Sequence, residues 1–414
     1  MKLLCYFPKP AFKRPRPKAA RSNVEFKKHA WKKDALLTGL LLVLSAILLC
    51  LPTGFDQRVN QDSIRCQGLV LKADNSGLQR MGIIKKGYQD LVLKALDGPL
   101  KGQVLKGSNQ LQGRMDLDKI FTPGDKALMV VSLDDQGRVV FVNPQDHYRL
   151  DLELILLGLF ALLLIAFGGF TGLKALLSFV FAGLMLWKLL VPLLLKGLDP
   201  VLISLAVISL LTAVIVFLVA GINQKGVTAF LGAFCGVGVS CLLALYFTAA
   251  FKVHGAVMPF AETLLYSGFG HLDLMRIYVA AVFLAASGAV MDLAMDVAAS
   301  LDEVHAQNPE MGFAQLAFSG LRVGRAVVGT MTTTLLLAYS GGFLTLFMAF
   351  MAQGVPLANF FNLIYVAAEV LKTLVGSFGL VTVAPFTAVI GAFIYTRKPV
   401  SLRAKSENSS LKQA

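Results

Sequence analysis

The chain has 414 residues, 56% hydrophobic and only 15% charged, with a mean hydropathy of +0.67. Soluble domains carry about 25% charged residues, so an ordinary soluble globular protein is excluded. The net charge of +14 raises nucleic acid as a partner, but the basic residues lie mainly in the two tails. That is a membrane-topology signal, and no nucleic-acid partner is expected.

Residues 1–34 form a basic tail with prolines at Pro8, Pro10, Pro15 and Pro17. Its composition predicts a disordered cytoplasmic segment that touches anionic lipid headgroups. The first span is expected at 35–51. Cys50 is no lipobox cysteine, because Leu49 precedes it where a small residue is wanted. The run also follows a tail too long for a signal n-region, so it reads as a retained anchor. Of the other cysteines, Cys5 lies in the tail, Cys235 and Cys241 lie in apolar runs, and only Cys66 falls in the polar region. No disulfide framework is expected.

Residues 52–150 change character. Short apolar runs at 68–71, 127–133 and 138–142 alternate with turn signals at 74–77, 97–99, 122–125 and 135–137. This pattern predicts an extracytoplasmic all-β domain, a small barrel of the OB type. From 151 to 396 the chain is apolar again, with spans expected near 152–168, 173–195, 201–221, 227–251, 274–300, 326–350 and 377–396. The fold class is therefore mostly α: a polytopic transmembrane helix bundle of about eight spans, with the OB-like domain between the first and second. With the N-terminus inside, Lys174, Lys225, Arg322, Arg325 and the 397–414 tail fall on the cytoplasmic side. Lys196, Lys252, Arg276 and Lys372 fall outside. The bias follows the positive-inside rule, and both termini are expected in the cytoplasm of a bacterial cell.

Glycines crowd several spans, notably Gly232, Gly236 and Gly238 in one and Gly324, Gly329, Gly341 and Gly342 in another. Small residues at such spacings let helices approach closely.

Four polar constellations stand out in this apolar setting. Asp292 and Asp296 lie one helical turn apart and share a face. Asp292 follows a stretch just long enough to span, so it is expected at the edge of the membrane in a buried role, coordinating a cation or accepting a proton. Asp296 is expected one turn further, in the interface. Thr330, Thr332, Thr333 and Thr334 offer hydroxyls on several faces of one helix, followed by Tyr339. They read either as a polar lining and a partner for Asp292, or as threonines bonded back to their own carbonyls. Asn362, Tyr365, Glu369 and Lys372 fall on one helical face. Residues 359–375 read as a surface-lying or re-entrant segment, broken from the last span near 376–380, with Glu369 and Lys372 able to pair at i, i+3. Finally, His254, Glu262, His271 and Asp273 lie in one outer loop. Their spacing matches no familiar ligand set, so no metal or other cofactor is expected. The usual hydrolase, nucleotide-binding and redox motifs are absent, and no enzyme activity is expected.

Three segments resemble the YibE/F family of multi-pass bacterial membrane proteins: GAVMDLAMDVAASLDE at 288–303, VGTMTTTLLLAYSGG at 328–342 with Gly324 before it, and AEVLKTLVGSFGLVTVAPFTA at 368–388. The resemblance extends over essentially the whole chain, including the end of the outer domain at 146–149. Asp296 stands where the family favours Ser, Thr333 where it favours Asn, and Lys372 where it favours Arg. Those departures leave Asp292 the stronger shared candidate. The resemblance implies architecture and no particular chemistry.

The expected function is a permease or channel-like transporter of a small solute or ion. Its path would be lined by Asp292, the 330–334 run and the Asn362/Glu369 face, with Thr333 and Glu369 as the company of Asp292. The alternative is a non-transporting scaffold or assembly factor whose β domain binds a protein partner.

Overall fold

The computed structural model describes residues 19–55 and 63–397, with side chains from residue 35 onward. The expected headgroup contacts of the basic tails lie outside the described residues. The chain divides into two units, with boundaries at Leu51/Pro52 and Leu173/Lys174.

Among its described residues the smaller unit holds six antiparallel strands: β1 (Ser63–Asp74), β2 (Leu78–Met81), β3 (Ile84–Ala95), β4 (Val104–Leu111), β5 (Lys126–Leu133) and β6 (Val139–His147). Their order is β2-β3-β1-β5-β6, with β4 also paired to β3. All four expected turn signals fall between strands. Alternation turns Gln89, Leu91, Leu93 and Ala95 of β3 inward against Val70, Met129 and Val131. The sheet curls into a half-barrel: a Cβ at Gly107 of β4 would lie 2.9 Å from the Val142 carbonyl oxygen of β6. Two buried amides hold the loop before β5 in place. Gln89 Nε2 donates to the Phe121 carbonyl (2.8 Å), and Gln89 Oε1 accepts from the Phe121 N–H (3.1 Å). Asn109 Nδ2 donates to the Lys119 carbonyl at 2.7 Å.

Helix α2 (Leu150–Leu184) follows, with Gly169 at φ 53°, ψ −128° interrupting it. A Cβ at Gly172 would strike the Leu164 carbonyl oxygen. The chain therefore breaks near the expected boundary, at a glycine that tolerates a left-handed φ. Before the break the apolar side chains point outward, with Leu152 69%, Leu163 68% and Phe167 95% exposed. The most apolar window of residues 150–195 has hydropathy 2.5 and no buried residue. Apolar surface of this extent marks lipid as the solvent.

The larger unit is helical. It contains α1 (Ala19–Cys50), a π-helical turn (Met185–Leu190), α3 (Val191–Leu195), α4 (Pro200–Ala220), α5 (Gln224–Ala250), α6 (Ala261–Leu264), α7 (Leu274–Gln307), α8 (Phe313–Gly341), α9 (Leu344–Ala352), α10 (Leu357–Asn362) and α11 (Ile364–Thr396). Among the described residues of the whole chain, five segments, Leu150–Leu195 included, are long and apolar enough to cross a membrane, or six when α8 and α9 count as one bent span. Helix ends are capped by Asp199, whose carboxylate accepts from Val201 and Leu202 N–H, and by Asn223, which accepts from Gly226 N–H. At the C-terminal end of α1, Lys188 Nζ donates to the Leu51 carbonyl at 3.1 Å.

Three local expectations differ from the structure. Residues 19–34 continue α1 as helix. The span expected at 326–350 is bent by 67° between α8 and α9, at the Gly341–Gly342 pair. The break expected near 376–380 is absent, because α11 runs unbroken through Gly376, Gly379 and Pro385. The chain breaks earlier instead, at Leu363, whose ψ of 131° separates α10 from α11.

Helices α5, α7, α8 and α11 form the core. The seam between α5 and α11 is built from small residues in antiparallel register: Thr228 meets Gly391, Gly232 meets Thr387, Gly236 meets Val383, and Ser240 meets Gly379. Each level pairs one glycine with one larger side chain. The spacing of four residues follows one helical ridge. Helix α8 docks on α11 in the same way, through Gly320 against Ala388 and Gly324 against Ala384.

A bulky residue at the seam must displace α11. Gly232→Leu should therefore lower thermal stability in detergent sharply, while Gly238→Leu, where a Cβ meets nothing within 4 Å, should not. Equal effects would contradict the seam. In the β unit, burial pushes the Asp118 carboxyl up, but its hydrogen bonds from Gln112, Gly113 and Arg114 N–H outweigh that and hold it below the usual Asp range. A lowered folded pKa contributes stability above the unfolded value, lost as pH falls through the folded one. Amide exchange at residues 112–114 should therefore accelerate on acidification below about pH 4. Asp118→Asn should flatten that dependence.

Candidate functional site

A buried carboxylate of the helical unit sits at the start of α11. Glu369 is 7% exposed. Its Oε2 lies 3.8 Å from Lys372 Nζ, one turn on. Its Oε1 is buried without a hydrogen-bond partner. The Lys372 ammonium lies 4.7 Å from the centre of the Tyr339 ring, a cation–π contact. The Tyr339 hydroxyl is also buried without a partner. Tyr278 of α7 donates to the carbonyl of Ala368 at 2.6 Å, which ties α7 to α11 beside the carboxylate.

Three local features create this arrangement. The extended residue Leu363 starts α11 afresh. Tyr339 packs beside Gly376, where a Cβ would lie in ordinary contact with its ring, 3.6 Å from Cε2. The glycine pair at 341–342 then bends the chain so that α9 and α10 turn back over α11. Between them lies a cavity of about 650 Å³, lined by Leu336, Phe347, Phe350, Phe360, Glu369 and Thr373 among others. Phe360 stacks edgewise on Phe347, Phe350 and Phe361, with centroids 5.3–6.0 Å apart.

The expected path residues are distributed differently. Asp292 and Asp296 do share one face of α7, but that face is an exposed strip with Ala285, Gly288 and Ala299. Asp292 was expected in a buried role; within this chain it is exposed, because α7 packs through Leu293, Ala294, Val297 and Leu301 on its other sides. Among the described residues no hydrogen bond or ion pair joins Asp292 to Thr333 or Glu369. Thr330, Thr332 and Thr334 bond back to the carbonyls of Val327, Val328 and Thr330 at 2.9–3.1 Å. Thr333 is exposed. Back-bonding thus accounts for three of the four hydroxyls. Asn362 ends a different helix, α10, where it bonds back to the Ala358 carbonyl at 2.8 Å. It therefore leaves the expected shared face, and Tyr365 is exposed. Tyr339, Glu369 and Lys372 are the expected residues that the fold brings together.

Sequence reasoning missed the aromatic cavity and Tyr278. Phenylalanines at 343, 347, 350, 360 and 361 were the available signal, but an apolar span hides them. It also missed the burial of Lys174, expected in a cytoplasmic loop. Lys174 lies inside α2, with its Nζ 3.5 Å from the Leu218 carbonyl. Arg276, expected in an outer loop, pairs with Asp199 across the starts of α7 and α4. His254, Glu262, His271 and Asp273 do not converge: among the described residues no group of three or more His, Cys, Asp or Glu side chains could hold a metal.

Several long apolar helices, an unburied apolar face and a charge enclosed among them define a membrane protein. Residues 156–397 match the YibE/F-like protein family, and the chain belongs to that family. The matched residues begin after the sixth strand. No curated protein and no solved structure matches the chain.

Glu369 is buried and its nearest cation, Lys372, is part-exposed, so removing the lysine leaves a buried carboxylate uncompensated. Lys372→Met should therefore destabilise the detergent-solubilised protein, by up to roughly 3 kcal/mol. Adding Glu369→Gln to that variant should restore most of the loss, read by thermal unfolding in a double-mutant cycle.

Proposed function

We propose that the chain is a permease of the bacterial cell membrane whose solute site lies at Glu369. The carrying observation is a carboxylate enclosed in the apolar bundle, with one oxygen unpartnered, on the wall of a cavity. A membrane protein does not keep such a group without use, since its burial costs from about 2.5 kcal/mol upward. The reading has no catalytic step and needs no cofactor.

An eight-span arrangement supports this reading. The five long segments become eight when Gly169 divides the first, α8 and α9 form a bent span, and the apolar helix Ala35–Cys50 is added. With the N-terminus in the cytoplasm, the positive-inside bias is satisfied and the C-terminus returns to the same side. Tyr278, Tyr339 and Glu369 then fall in the outer half of the membrane. Asp292 falls toward the inner face.

Proteoliposomes loaded with a pH-sensitive dye test the reading. Wild type should carry proton-coupled flux, Glu369→Gln should abolish it while still inserting, and Asp292→Asn should retain most of it. Full flux in the Glu369 variant would remove the carboxylate from the mechanism.

The scaffold reading draws support from the β unit. Its strand order fits an OB-type barrel. Met81 and Ile83 at the β2–β3 hairpin tip are 61% and 80% exposed. On that reading a stoichiometric protein copurifies, is lost on deletion of residues 52–150, and no flux is seen.

A further inference from the structure

We infer that the cavity beside Glu369 binds a lipophilic organic cation, an apolar body carrying one positive charge. The inference rests on the permease reading and names its substrate class.

Charge is the first reason. Among the residues lining the cavity Glu369 alone is charged, and Lys372 is not part of the wall. Glu369 is more than nine-tenths buried, and its Oε1 has no partner. Its contact with Lys372, at 3.8 Å, is long for an ion pair, and the ammonium leans over the Tyr339 ring. A cation in the cavity would meet a counter-charge in surroundings that screen it little.

The rest of the wall is the second reason. Phe347, Phe350 and Phe360 line the cavity, and aromatic rings attract cations through their quadrupoles. The volume of about 650 Å³ lies in the range of small-molecule sites. Access is the third reason. Met351 and Leu357 line the cavity and are 83% and 70% exposed, so it opens at the apolar surface of the bundle. A ligand entering there must be soluble in lipid. An anion of the same shape meets Glu369 unfavourably, and a neutral hydrocarbon or acyl chain brings no charge to balance the carboxylate.

Tetraphenylphosphonium and tetraphenylborate share a shape and differ in sign. Equilibrium dialysis with the purified full-length protein should show saturable binding of the cation and none of the anion. Glu369→Gln and Phe360→Ala should each weaken cation binding by about tenfold or more. In wild type, bound cation should protect Glu369 from a hydrophobic carbodiimide, read by mass spectrometry, which needs no variant to fold. Equal binding of the two ions, undiminished binding in Glu369→Gln, or absent protection overturns the inference. Absent cation binding with proton flux that still requires Glu369 overturns the ligand class and leaves the permease standing. Cation binding with no flux of any kind supports the ligand and overturns the permease.

Discussion

The close approach of α5 and α11 is the constraint on which the helical unit depends. In lipid the tails are as apolar as leucine, so helices gain little by hiding apolar surface from one another. What holds them is contact. At four successive levels a glycine on one helix receives a threonine, valine or serine from the other. Helix α8 takes the neighbouring groove of α11 through Gly320 and Gly324. Helix α11 is thereby fixed along most of its length.

That fixation decides where charge can be buried. The seam occupies α11 from Gly379 to Gly391, leaving about the first four turns to α7, α8 and the folded-back α9 and α10. Tyr278 anchors this end through the Ala368 carbonyl, and Tyr339 supplies a ring for the lysine. A single carboxylate with one unpaired oxygen is the residue of that packing. A group left short of partners in lipid points to a ligand more than to stability.

Much of this was legible from the sequence, because it rests on local pattern. Alternation and turn residues revealed a small antiparallel β unit, and apolar run lengths revealed the membrane helices. Glycine spacing announced the tight packing, and the i, i+3 spacing announced the Glu369–Lys372 pair. What was illegible depends on non-local geometry. Asp292 lies in an apolar run, so span length alone argued for burial. Only the packing of α7 shows that its face is the one left uncovered. The sequence left the threonine run between a lining and back-bonding, because hydroxyls carry no label for the carbonyl they choose. Asn362 seemed to share a face with Glu369 because the extended residue Leu363 is an ordinary leucine in sequence. The bend at Gly341–Gly342, which forms the roof of the cavity, read as packing.

The central claim is that α11 lies against α5 in one antiparallel register, since Glu369 is placed by it. Disulfide trapping between cysteines at positions 240 and 379 in intact membranes tests this most directly. A Cβ at position 379 would lie 3.3 Å from that of Ser240, close to the separation a disulfide requires. The account predicts rapid, near-complete cross-linking for this pair and none for cysteines at 238 and 379. Failure of the first pair, or equal cross-linking of the second, would contradict it.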